Sequence, residues 1–103
     1  MGGITMNFIR IITTKTLTLK QEKEMTLSIQ NLFKQYLNDD HFMIQIEDNQ
    51  VMYYNSKEIE CIRLDIYLKE HYPQTFKNEM QSMIEQITDI PIVHQSIELF
   101  VSS

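Results

Sequence analysis

The chain has 103 residues, 43% of them hydrophobic, with two glycines, two prolines and 22% charged side chains. That composition describes one globular domain over 1–103, large enough for a modest core and too apolar for disorder. Fourteen acidic side chains against nine basic ones give a net charge of −5, which argues against nucleic acid or an anionic membrane as partner.

A lone cysteine, Cys61, excludes an internal disulfide and a Cys-based zinc site. No apolar run is long enough to span a membrane. The first residues lack the basic-then-apolar pattern of a signal peptide. A reducing, cytoplasmic setting is therefore the expectation.

In chain order, residues 7–13 read as a strand rich in β-branched side chains. The short "TKTLT" that follows is turn-like. Thr18 and Gln21 then have the spacing of a capping box, which predicts a helix start. Apolar residues recur at Met25, Ile29, Leu32, Phe33 and Tyr36, one face of an amphipathic helix that "NDD" at 38–40 stops. Residues 42–47, "FMIQIE", alternate as a strand does, with Phe42, Ile44 and Ile46 on one side. "EDNQ" reads as a turn, "VMYY" at 51–54 as a further small strand and "NSKE" as a loop.

Residues 61–68, "CIRLDIYL", alternate strictly. Ile62, Leu64, Ile66 and Leu68 share one face, and Cys61, Arg63, Asp65 and Tyr67 the other. Pro73 suits the first turn of a second helix, where a missing N–H costs nothing. Phe76, Met80, Met83, Ile84 and Ile87 form its apolar face, and Asp89 and Pro91 end it. Residues 94–101 read as the last strand, with Ile97, Leu99 and Val101 on one face.

The two helical patterns are the same pattern. Met25, Ile29, Leu32, Phe33 and Tyr36 recur 51 residues later as Phe76, Met80, Met83, Ile84 and Ile87. "IRI" at 9–11 recurs as "IRL" at 62–64, and "IQI" at 44–46 as "IEL" at 97–99, each 53 residues on. This is an internal duplication of a β-α-β unit, repeat one over 7–47 and repeat two over 61–101. The expected fold is α+β, a four-stranded sheet with two helices on one face. The other sheet face would carry Arg10, Gln45, Glu47, Arg63, Asp65, Tyr67 and Glu98. Such a mixed-charge face suits either solvent or contact with copies of the chain, its arginines pairing carboxylates across subunits.

In this layout the chain resembles the tautomerase superfamily, most closely its macrophage migration inhibitory factor branch. The stretch "HFMIQIEDNQVMYYNSKEIECIRLDIYL", 41–68, is similar to that branch's second strand, loop and third strand. The run "CIRLDIYLKEHYPQTFKNEMQSMIEQI" also resembles a bacterial branch of unknown function. The resemblance spans residues 7 to 101. It implies a homotrimer with helices outside and polar sheet faces inward. It also implies pockets at subunit boundaries that bind a small carboxylate, and enol–keto isomerisation of a small carbonyl acid by an N-terminal proline base. Physically, a secondary amine in a cationic or dry pocket has a lowered pKa and can take a proton beside a carbonyl.

Here the sequence departs from that pattern. Asn7 stands where the resemblance calls for proline, and a carboxamide is no base. Removal of Met1 would expose the amine of Gly2, several residues upstream. The candidate pocket residues are Asn7 at the first strand's start, Arg10 and Arg63 as forked carboxylate donors, Lys69 after the third strand, and Glu98 and Phe100 on the last. Structural ion pairs are the plainer role for both arginines, and a charged loop for Lys69 and Glu70. Tyr53 and Tyr54 suit a pocket wall or the cover of a strand edge.

His41, His71 and His94 lack ligand spacing, so no metal is expected. No cofactor is expected either, since no Gly-rich phosphate loop exists. Cys61 is expected on the polar face, without a histidine and an acid to activate it. Two other readings stay open. One is a non-catalytic oligomeric module that binds a small anion or a protein. The other is a ferredoxin-like domain, in which neighbouring strands would all be antiparallel.

Overall fold

The computed structural model of the chain describes residues 6–38 and 41–99, with the backbone alone from 93 to 99. The elements are β1 (Asn7–Thr13), α1 (Leu19–Tyr36), β2 (Phe42–Glu47), β3 (Met52–Tyr54), β4 (Lys57–Ile59), β5 (Ile62–Leu68), α2 (Gln74–Thr88) and β6 (Ile92–Leu99). Four strands form one sheet in the order β2-β1-β5-β6, and β3 and β4 form a separate hairpin.

Each half holds a parallel pair, β1 with β2 and β5 with β6, and the halves meet through antiparallel β1 and β5. A parallel pair needs a crossover, which α1 and α2 supply. This arrangement excludes the ferredoxin-like alternative.

Burial alternates strictly along β1. Ile9 and Ile11 are fully buried, and Phe8, Arg10 and Ile12 on the other face are partly exposed. Both helices cover the first face. Met25, Ile29 and Phe33 from α1 and Phe76, Met80 and Ile84 from α2 join Ile9, Ile11, Ile62, Leu64, Ile66 and Leu68 in one core. At its centre Phe33 stacks on Phe42 with ring centroids 4.7 Å apart and meets the edge of Phe76 at 5.6 Å. Such aromatic pairs add about 0.5–1.5 kcal/mol each beyond the area they bury.

The helix ends follow from local chemistry. The Thr18 hydroxyl accepts the Gln21 N–H at 3.1 Å, and Gln21 Oε1 accepts the Thr18 N–H at 2.9 Å, completing the capping box. Pro73 sits one residue before α2, at its N-cap, and Asp89 ends α2 in a left-handed conformation with φ 59°. The start of α1 also serves the end of α2: Gln21 Nε2 donates to the carbonyl of Ile87 at 3.2 Å. That satisfies one of the carbonyls a helix end leaves without a partner.

Three expectations need correction. "NSKE" is a turn and a strand instead of a loop: Asn55 and Ser56 take positive φ, and Lys57 returns to pair with Tyr54. Two consecutive left-handed residues match the twist of a two-residue hairpin. The last strand starts at Ile92, two residues early, because the Ile62 N–H of β5 donates to the Pro91 carbonyl at 3.0 Å and Ile62 pairs with Ile92. Val101 and Phe100 lie outside the described residues. Cys61 precedes β5 and is fully buried instead of lying on the polar face, with its Sγ 3.2 Å from the sulfur of Met52.

Candidate functional site

The uncovered face of the sheet holds a groove of about 440 Å³ at the end where β1 begins. Met6, Phe8, Met43 and Tyr67 give it an apolar floor, Arg10 and Gln45 supply polar groups, and Asn7 lies at its end. Strand register explains the grouping. Phe8 lies opposite Met43 on one side and Tyr67 on the other, and Arg10 lies opposite Gln45 and Asp65. The rings of Phe8 and Tyr67 are 5.9 Å apart.

Arg10 is the groove's cation. Its Nε donates to Glu47 Oε2 at 2.7 Å, with the arginine side chain 42% exposed. The hydrogen bond to Glu47, and then its charge, hold the guanidinium above its ordinary pKa, with Asp65 adding to the effect. Arg10 is thus a fixed positive charge. A guanidinium carries five N–H donors, and the Glu47 contact uses Nε.

Asn7 has a different role from the one its position suggests. It is fully buried. Its Nδ2 donates to the carbonyl of His41 at 3.0 Å, and its Oδ1 accepts the backbone N–H of Lys69 at 2.9 Å. The side chain therefore clamps the start of β1 to the start of β2 and the end of β5. A carboxamide can do this because it donates and accepts at once.

The other sequence candidates divide. Arg63 pairs within its own strand, its Nε 3.5 Å from Asp65, and does not line the groove. Asp65 is buried although it stands on the uncovered face. Lys69 contributes its backbone N–H to Asn7 and is not a groove-lining side chain. Glu98 is placed by its backbone opposite Tyr67. Phe100 lies outside the described residues. Met6, Phe8 and Met43 were not foreseen as pocket residues. Period-two alternation from Arg10 and Gln45 was the signal that would have found Phe8 and Met43.

A second groove, about 900 Å³, runs between α1 and the edge strand β2 past exposed Leu19 and Leu27. It exists because β2 is an edge strand and α1 covers it only in part. Among the described residues no group of three or more His, Cys, Asp or Glu side chains converges in a way that could hold a metal ion. No helix among them is long and apolar enough to cross a membrane.

No protein-family model and no curated protein sequence matches the chain. Solved structures match it throughout. A macrophage migration inhibitory factor-like protein from Entamoeba histolytica superposes with a TM-score of 0.74 at 12% identity, over 92% of this chain and 89% of that one. Macrophage migration inhibitory factor from Giardia lamblia gives 0.69 at 12% identity, over 91% and 97%. A structure described as a fused 4-OT wild-type symmetric trimer gives 0.66 at 11% identity, over 93% and 87%. The fold is that of the tautomerase superfamily in its macrophage migration inhibitory factor-like form.

Proposed function

We propose that this chain uses the tautomerase scaffold to bind a small carboxylate, without the proline-based enol–keto isomerisation that the resemblance implies. The observation that carries the reading is Asn7. Its amide is buried and committed at both ends to backbone groups 3.0 and 2.9 Å away, so it holds the scaffold where a base would be needed. Arg10 supports the binding half of the reading: a fixed cation on the wall of an apolar groove recognises a carboxylate attached to a small organic body.

The functional unit in this reading is a homotrimer with the uncovered sheet faces inward. The symmetric trimer among the similar structures supports it. So does the exposed Met43 beside Phe8 and Tyr67, an apolar patch on a face no helix covers. No nucleic acid and no membrane enters the proposal.

The test is a pair of measurements on one sample. Calorimetry with 4-hydroxyphenylpyruvate should give saturable binding that Arg10→Ala weakens about tenfold, the size of one lost charge-assisted contact. A tautomerase assay with the same compound should show little turnover. Absence of binding would overturn the proposal. Robust turnover would establish the second reading, an isomerase with an altered base, which the shared fold favours.

A further inference from the structure

The β3–β4 hairpin is anchored at its root. Gln50 N–H donates to the carbonyl of Thr13 at 3.0 Å, and Cys61 N–H donates to the Thr14 hydroxyl at 3.1 Å. Between these ties Val51, Tyr53, Tyr54, Lys57 and Glu58 are exposed. Met52 and Ile59, opposite each other in the register, are half-buried. A lone two-stranded hairpin is marginal in water, so the seat of this one depends on those two side chains.

Met52 carries the specific contact. The fully buried Cys61 thiol donates to its thioether sulfur at 3.2 Å. Burial raises the pKa of that thiol and so keeps it protonated at neutral pH. The other side of Met52 is open. A polar cavity of about 300 Å³ lies at the hairpin, lined by Thr14, Gln50, Met52, Glu58 and Glu60, and Cys61 does not line it. Met52 therefore stands between a polar opening and the buried thiol. A small hydrophilic oxidant meets the thioether first, and a buried, protonated thiol behind it is inert.

We propose that Met52 is an oxidation site whose sulfoxide unseats the hairpin and uncovers Cys61. The oxidant is a hydroperoxide. The thioether sulfur gives an electron pair to the outer peroxide oxygen. The O–O bond breaks, the S–O bond forms, and the proton leaves with the departing oxygen as an alcohol, or as water from hydrogen peroxide. Sulfur is oxidised, and the peroxide reduced, by two electrons. Sulfurs 3.2 Å apart leave no room for an oxygen between them, and the sulfoxide is polar where the thioether was apolar. The hairpin swings out on its root, and the thiol behind Met52 opens to reagents. Methionine sulfoxide reductases reverse the change. The inference goes beyond the carboxylate-binding reading and is independent of it, since neither Met52 nor Cys61 lines that groove.

The experiment treats the whole chain with hydrogen peroxide, maps sulfoxides by peptide mass spectrometry and times Cys61 labelling with an aromatic disulfide reagent. Sulfoxide at Met52 should come with labelling at least ~10-fold faster than in the untreated protein, through loss of local protection. Methionine sulfoxide reductases A and B should restore the slow rate. Met43, 52% exposed on the sheet face, is oxidised as well, so Met43→Leu should leave the acceleration in place. Met52→Leu should abolish it. Met52→Gln, which sets a polar amide where the sulfoxide would be, should label fast without peroxide. Circular dichroism checks that each variant is folded. Three results overturn the inference: Met52 stays a thioether while Met43 is oxidised, sulfoxide at Met52 leaves the labelling rate unchanged, or Met52→Leu responds to peroxide as the wild type does. The first two are read on the wild-type chain, so they decide the matter even where a substitution disturbs the fold.

Discussion

Asn7 accepts the backbone N–H of Lys69 on its Oδ1 at 2.9 Å, across 62 residues of sequence. The same amide gives its Nδ2 to the carbonyl of His41 at 3.0 Å. One buried side chain therefore sets the relative positions of β1, β2 and β5 at the groove. Asn7→Ala strips two backbone groups of their partner, at about 1–3 kcal/mol each. The expected loss is about 3 kcal/mol, a fall in Tm of roughly 10–20 °C by calorimetry. Asn7→Asp keeps the acceptor but turns a carboxylate oxygen against the His41 carbonyl, so it does not rescue. Wild-type stability in Asn7→Asp would show that the His41 contact is inert.

The arginines divide by what they face. Arg63 pairs with Asp65 on the uncovered sheet face, and its side chain is 53% exposed. Removing it leaves Asp65, which is buried, without that cation on the face that the proposed trimer turns inward. Arg63→Ala should weaken association more than Lys69→Ala in sedimentation experiments. Equal effects would remove the support for an inward-facing charged sheet.

Thr18→Ala removes the hydroxyl that caps α1, and with it one half of the reciprocal pair with Gln21. The expected cost is about 1 kcal/mol. Gln21 also holds the end of α2 through the Ile87 carbonyl. Gln21→Ala should therefore destabilise both helix ends and exceed the cost of Thr18→Ala in urea denaturation. The reverse order would mean that the link between the helices contributes little.

Burial pushes the Cys61 thiol above its ordinary pKa. The unfolded chain then loses this proton at lower pH than the folded one, so the folded state binds more protons between the two values and stability falls as pH rises there. The contribution is intact below the unfolded value of about 8.5 and is lost as pH climbs toward the folded value. Urea titrations from pH 7 to 10 should show a decline that Cys61→Ala reduces. Native labelling of the thiol at pH 8 should be on the order of 100-fold slower than in denaturant, because reaction requires local opening. Rapid native labelling would contradict the burial.

The elements with a local cause were legible in the sequence. The capping box announced α1, β-branched content announced β1, period two announced β2 and β5, and the recurring apolar spacing announced both helices. Each depends on neighbours within a few residues, where backbone and side-chain chemistry decide the outcome alone. The second hairpin strand, with Lys57 and Glu58 charged among its three residues and no apolar run, carried no such signal.

What only the tertiary structure decided involves partners far apart in the chain. Parallel pairing in each half, which rules out a ferredoxin-like fold, is a matter of the order and relative direction of strands separated by a helix. Arg10 looked like a charge held for another subunit, yet Glu47 on the neighbouring strand takes its Nε. Asn7 looked like a vacant catalytic position, and it is a structural clamp whose partners are His41 and Lys69. Residue type and spacing specified which faces are apolar. Which polar groups meet on the other face depends on strand order and register, because those alone bring residues 7, 41 and 69 within hydrogen-bonding distance.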